Sequence, residues 1–448
     1  MPQENPKLSQ RRAKEGWFGH TTDLQFKRRT VVVDRWLWCP DLDPRLVSRA
    51  WLYSEFSGIH MLSNQMPVAL ITASQAEAEM FTQGLAECGF RRITVFTSGK
   101  EAYEVCARQQ FPLFVTRVEM PDMSGLVVIQ KLRATGNYGL EPHLLVCNKL
   151  DTQLLALVSE YDLDYVMVPP LSKGTVAAKF KHLMTTENSL SEVELKYRDG
   201  KSAFAADLVD MAEDKIMQVL SAQPKLEKAL ILLGDIAVKR NDLTAADTHY
   251  KAALAANPKS STALHRLAQL LMKKNDFNAA ATLLNKLADV NPYNIRLLEN
   301  AGLSNLNIER YDLAKDYMGK LQAVDAANKT AAVVTAQVKI KTGDLSDLVG
   351  GLRQGMDEKE MVQFLNNAGA KLSSDNDVDG AIKMYMAAVE QIKVNKFLYA
   401  IHYNLGIAFK KKKDFDKARQ HFEKSLKLNP EFTKASAALK ELSVTPAA

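Results

Sequence analysis

The sequence predicts a two-part molecule, an α/β layer built on a five-stranded parallel sheet followed by an all-α superhelix. Two observations carry this. Between residues 66 and 185, short apolar runs alternate with stretches of helical spacing. In the second half, Pro224, Pro258 and Pro292 stand 34 residues apart, and small and large residues keep the same phase. Composition bounds the rest. A chain of 448 residues, 46% hydrophobic and 25% charged, has the make-up of a soluble protein with roughly two to four domains.

The α/β part reads in order. Val68-Ala-Leu-Ile-Thr-Ala is a buried strand, and Gln75 to Glu87 is a helix closed by Gly89. Ile93 to Phe96, Phe114 to Thr116, Leu144 to Cys147 and Tyr165 to Val168 are four more strands. Helices fill the gaps at Lys100–Gln110, Val127–Ala134, Leu154–Tyr161 and Thr175–Met184. Strands alternating with helices make a parallel sheet covered on both faces. Its functional crevice lies beyond the carboxyl ends of the strands.

The turn Met120-Pro-Asp-Met-Ser-Gly125, followed by Leu126 and a helix holding Lys131-Leu-Arg133, resembles the response-regulator receiver family of two-component systems. The resemblance implies a flavodoxin-like receiver over residues 66–185. It places the phosphoacceptor position at Arg117, the metal-binding acids at Thr72 and Ala73, and the strand-four hydroxyl at Cys147. It places the phosphate-balancing lysine at Val168 and the switch aromatic at Tyr165, and it implies a cis Val168–Pro169 bond. A guanidinium cannot form an acyl phosphate. Mg²⁺ wants hard oxygen ligands in octahedral geometry, and Thr72 with Ala73 supplies one hydroxyl. The resemblance therefore implies a pseudo-receiver without catalytic residue, metal or cofactor. Glu119 and Asp122 read as solvated loop acids with a displaced acceptor as the rival role. Arg117 reads as a guanidinium reaching water along its own stem, with a fork onto an anion or a partner's carboxylate as the rival role.

After a polar joint at residues 186–192, the repeat array spans 193–448. Ala212, Ala246 and Ala280 each precede a large residue by four positions: Ile216, Tyr250 and Leu284. A fixed 34-residue period in this order is the signature of paired helices stacked as a solenoid. These residues resemble the tetratricopeptide repeat family, and they imply about six to seven units plus an end helix. Gly234, Gly302, Gly369 and Gly406 occupy the eighth position, where close helix contact explains a residue that costs about 1 kcal/mol inside a helix. Residues 329–361 depart from the pattern at Leu348 and Gly350-Gly351, whereas residues 399–432 fit it best. The resemblance makes the inner face a peptide groove lined by Lys239, His265, Lys273, Asn307, Tyr403 and Lys411. A mixed, weakly basic groove suits an acidic or C-terminal peptide.

Residues 1–65 differ in composition. They hold all four tryptophans and a dense set of arginines. They read as a poorly ordered tail, or as residues upstream of a natural start at Met61 or Met66. Basic residues among aromatics also suit single-stranded nucleic acid or a membrane surface. The four cysteines are scattered, which fits reduced thiols in a cytoplasmic protein. A net charge of +6 is mild, and no apolar run reaches the roughly 20 residues of a membrane helix. No phosphate loop, nucleophile elbow or metal-ligand spacing is present. The expected function is a non-catalytic adaptor that binds protein partners. Alternatives are a phosphorylation-gated regulator with a repeat output and, on the basic segment, a nucleic-acid binder.

Overall fold

A computed structural model describes residues 62–392 and 396–444; the readings of the tryptophan-rich segment lie outside them. The five strands form one parallel sheet in the order β2-β1-β3-β4-β5. They are β1 (Val68–Ile71), β2 (Ile93–Phe96), β3 (Leu113–Arg117), β4 (His143–Val146) and β5 (Tyr165–Met167). Every residue of β1 is buried, because alternate side chains enter cores on opposite faces. Val68 and Leu70 pack beneath α1 (Gln75–Glu87) and α5 (Lys173–Glu187). Ala69 and Ile71 pack beneath α2 (Gly99–Cys106) and α3 (Gly125–Ala134). The fifth helix of this layer is α4 (Thr152–Glu160).

Two local differences have physical causes. Helix α2 stops at Cys106 rather than Gln110, because the Tyr138 hydroxyl bonds the carbonyls of Cys106 and Gln109 at 2.8 and 3.0 Å. The cis bond lies between Pro169 and Pro170 instead of before Pro169; both are X–Pro bonds, whose trans preference is weak. Leu62 is tied back to this layer by two hydrogen bonds with Asn188, at 2.7 and 3.1 Å.

The array is a succession of helix pairs. They are α6/α7 (Glu192–Ala205, Val209–Ala222), α8/α9 (Glu227–Lys239, Leu243–Ala256) and α10/α11 (Ser261–Lys273, Phe277–Val290). Next come α12/α13 (Ile295–Asn307, Tyr311–Val324) and α14/α15 (Lys329–Thr342, Leu348–Arg353). The last are α16/α17 (Glu358–Ser374, Val378–Ile392) and α18/α19 (Tyr399–Lys411, Phe415–Leu428), then α20 (Thr433–Val444). The eighth-position glycines are explained by contact. A Cβ added at Gly200, Gly234, Gly302, Gly369 or Gly406 would come within 2.1–2.8 Å of a side chain sixteen residues on. The irregular unit is where the sequence places it. Helix α15 has six residues and starts from Asp347 at φ 44°.

Each turn between paired helices holds a left-handed residue. Asp207, Asn241, Asn275, Glu309 and Gly343 keep the 34-residue step, and Asn376 and Lys413 follow with altered spacing. Asparagine, aspartate and glycine tolerate that conformation best.

Candidate functional site

At the carboxyl end of β3, Arg117 closes a polar cluster. Its side chain is 12% exposed and pairs with Glu77 at 3.0 Å and Glu119 at 2.9 Å. Glu77 lies in the first turn of α1, placed there by the Ser74 cap. It accepts from the buried Thr72 hydroxyl at 2.6 Å. Glu119 accepts from the Asn148 backbone N–H at 2.8 Å, and the Asn148 side chain accepts from Arg117. Arg117 thus pairs with carboxylates of its own chain, a role the sequence does not suggest; it points only to water, an anion or a partner's carboxylate. Glu119 is a solvated loop acid, as expected, that also pairs with Arg117. Glu77 was missed as a site residue, although its place five residues after Thr72 was there to be weighed.

Among the remaining vestigial positions, Cys147 lies beside that cluster, within reach of the Glu119 and Arg117 charges. Ala73 is exposed. Cys147 is buried, and burial pushes its thiol up. Val168 is exposed. Tyr165 points inward, and its hydroxyl donates to Glu187 at 2.8 Å. Asp122 is exposed in its turn, as expected of a loop acid, and has a further role. Its carboxylate accepts from the Ser98 hydroxyl at 2.6 Å and from the N–H groups of Gly99 and Lys100 at 2.9 and 3.0 Å. Partial desolvation opposes ionisation, but these bonds and one from Met123 N–H hold the carboxyl well below the usual range. Asp122 is thereby a cap for α2.

A second polar site lies where α3 and the end of α4 meet the array. Glu160, the last residue of α4, is 8% exposed beside His265, whose side chain is 3% exposed at 3.3 Å. Asn291 donates to the same carboxylate at 2.8 Å. Burial raises this carboxyl, but the bonds from His265, Asn294 and Asn291 outweigh it and hold the group below its ordinary value. Gln130 of α3 donates to the Tyr293 carbonyl at 2.9 Å and accepts from the Ile295 N–H at 2.8 Å. Asp162 takes Lys201 of α6 at 3.0 Å. Lys131 reverses the polarity by pairing with Asp325 at 2.9 Å. Val127 of α3 joins the apolar cluster formed by Ala268, Leu284 and Leu298. Leu140 packs on the cluster around Tyr197 of the first helix pair.

This contact changes the reading of the groove. His265 faces Glu160 and its other ring nitrogen lies 3.0 Å from Asn300, so it is not an open groove residue. Tyr403 is half-buried against the rings of Phe422 and Phe432, in the packing of the last pair. Lys239 pairs with Asp207 of the preceding pair. Lys411 donates to the Ser373 hydroxyl at 3.0 Å. Lys273 and Asn307 are exposed at the ends of their helices.

The family comparison bears on the repeat part. The tetratricopeptide repeat family matches residues 237–298 and 399–432; those segments are tetratricopeptide repeats. A probable cyclic di-GMP phosphodiesterase of Vibrio cholerae is 26% identical over 210 residues, 42% of this chain and 47% of that protein. The chain thus spans about half the length of the curated relative it matches. Among solved structures, chemotaxis protein CheY4 of Vibrio cholerae is 18% identical, covering 26% of this chain and 98% of its own, with a TM-score of 0.25. PilF of Pseudomonas aeruginosa is 16% identical, covering 56% and 97%, with a TM-score of 0.32. A tetratricopeptide repeat protein from Parabacteroides merdae is 16% identical, covering 56% and 98%, with a TM-score of 0.36. The chain carries a receiver-like five-stranded layer followed by a tetratricopeptide-type array. No helix among the described residues is long and apolar enough to cross a membrane.

Proposed function

We propose that this chain is a non-catalytic cytoplasmic adaptor of two-component type, with a phosphorylation-dead receiver over residues 66–185 and protein-binding repeats over 193–448. The observation that carries this is the engagement of Arg117. The place where the family's chemistry needs a free carboxylate holds a guanidinium already paired with Glu77 and Glu119. Both carboxylates are committed to that cation, and Thr72 spends its hydroxyl on Glu77. A nucleophile and a divalent-metal cradle would each require the cluster to be taken apart. The repeats supply the binding function, with Lys273 and Asn307 open to a partner peptide.

The test is phosphotransfer from a small donor. Incubation with acetyl phosphate and Mg²⁺ is expected to leave the intact mass of the full chain unchanged. Arg117→Asp alone is expected to stay unmodified too, since Thr72 and Ala73 supply no metal acids. A hydroxylamine-labile phosphate on either protein would overturn the reading.

A further inference from the structure

Around Glu160 the receiver layer sets acceptors against donors of the repeats, whereas Lys131 on Asp325 and the Gln130 amide on the Tyr293 carbonyl run the other way. The repeats present donors: the His265 ring, the Asn291 amide, the Ile295 N–H and the Lys201 ammonium. The receiver presents acceptors, Glu160, Asp162 and the Gln130 carbonyl. Arg296 adds an exposed cation beside Tyr161, on a cleft of about 300 Å³ that also meets Glu299 and Asn328. An interface so rich in charge and hydrogen bonds resembles separable contacts between proteins more than an obligate core.

We infer that this edge of the array, around His265, Asn291 and Ile295, is a recognition surface for an acidic segment, and that Glu160-Tyr161-Asp162 of the same chain is its resident occupant. The inference rests on the adaptor reading and names its partner class: a protein presenting a carboxylate-rich segment at a helix end. Such a partner competes with the receiver for the seat. The cleft beside Arg296 gives it a place to begin, because that cation lies at the rim. Turning away about the joint between α5 and α6, residues 188–191, requires the buried Glu187–Arg198 pair that spans it to open as well.

The experiment is hydrogen exchange on the full chain, followed by peptide titration. In Glu160→Arg a cation faces His265, Arg266 and Arg296. Exchange in residues 126–134 and 293–299 is expected to rise at least tenfold, with the β1 amides unchanged as the check on folding. His265→Glu, made on the repeat side, is expected to give the same rise without altering the receiver. A labelled peptide with the sequence of residues 152–163 is expected to bind the Glu160→Arg chain at least tenfold more tightly than the wild type. It is expected not to bind Glu160→Arg/His265→Glu. Unchanged exchange in both single variants would overturn the seat. Raised exchange with no peptide binding would overturn the acidic-segment assignment. Failure of the adaptor reading would appear separately, as phosphate on the receiver.

Discussion

Replacing Arg117 with glutamine removes the one cation holding Glu77 and Glu119 together. The cost divides unequally. Glu119 is 41% exposed, and such a pair contributes about 0–1 kcal/mol. Glu77 is 17% exposed and Arg117 12%, so losing the charge-assisted bond costs about 1.5–3 kcal/mol. The sum is about 1.5–4 kcal/mol, or roughly 10- to 700-fold in the opening equilibrium at 1.4 kcal/mol per decade. The assay is native-state exchange of the Val118 amide, which bonds the Val146 carbonyl at 2.8 Å beside the cluster. Glu77→Gln and the double variant complete a cycle, and the coupling between Arg117 and Glu77 is expected to exceed about 1 kcal/mol. Added salt should shrink the Glu119 share more than the Glu77 share. If Arg117→Gln costs the same with and without the Glu77 carboxylate, the cluster does not act as argued here.

Three further outcomes follow from packing and protonation. Gly406→Ala places a Cβ 2.4 Å from the Phe422 ring and should destabilise by about 1–3 kcal/mol. Gly319→Ala meets nothing within 4 Å and should stabilise by up to about 1 kcal/mol; thermal melts that rank the two the other way would refute the close-contact argument. His402 and His421 lie 3.1 Å apart through their Nδ1 atoms, and burial, then Lys424, pushes His402 down to about 4. Burial, His402 and Lys424 do the same to His421, also to about 4. An unfolded histidine titrates near 6.5. Above that pH neither state is protonated, so stability is flat. As pH falls from about 6.5 to 4 only the unfolded state takes up protons, and stability is lost at up to ~1.4 kcal/mol per unit for each histidine. Exchange from α18 and α19 should therefore quicken on acidification, and His402→Leu/His421→Leu should flatten that response.

Much of the fold was legible because it rests on local and periodic signals. Val68 to Ile71 is a continuous apolar run, and only a strand buried on both faces wants one. The repeat period survives in prolines, alanines and glycines together. One periodic signal was passed over: Asp207, Asn241, Asn275, Glu309 and Gly343 mark the turns at the same step, and three of those residue types favour the left-handed region. The sites were less legible because their partners are distant in sequence. Glu77 meets Arg117 across 40 positions, and Glu160 meets His265 across 105. A fifth-position histidine looks the same in sequence whether it faces a free peptide or the chain's own helix end. Asp122 misled for a related reason, since a turn acid and a cap for a neighbouring helix share one residue type.

The joint explains why docking, not a strand-end rearrangement, is the natural lever in this chain. Tyr165 on β5 donates to Glu187 at the end of α5. Arg198 of the first repeat helix grips the same carboxylate at 2.5 and 3.3 Å. Arg198 also approaches Glu194, which takes Lys228 of the next pair at 2.5 Å. Glu187 is only 5% exposed, and stripping one partner from a buried carboxylate is costly. Swinging Tyr165 outward would break its bond to the carboxylate that binds the receiver to the array. Arg117 is held at the far end of the sheet by Glu77 and Glu119. Glu160, 8% exposed between His265 and Asn291, is the other buried carboxylate of this contact, so an acidic competitor at that seat has to offer the same bonds before the receiver gives them up.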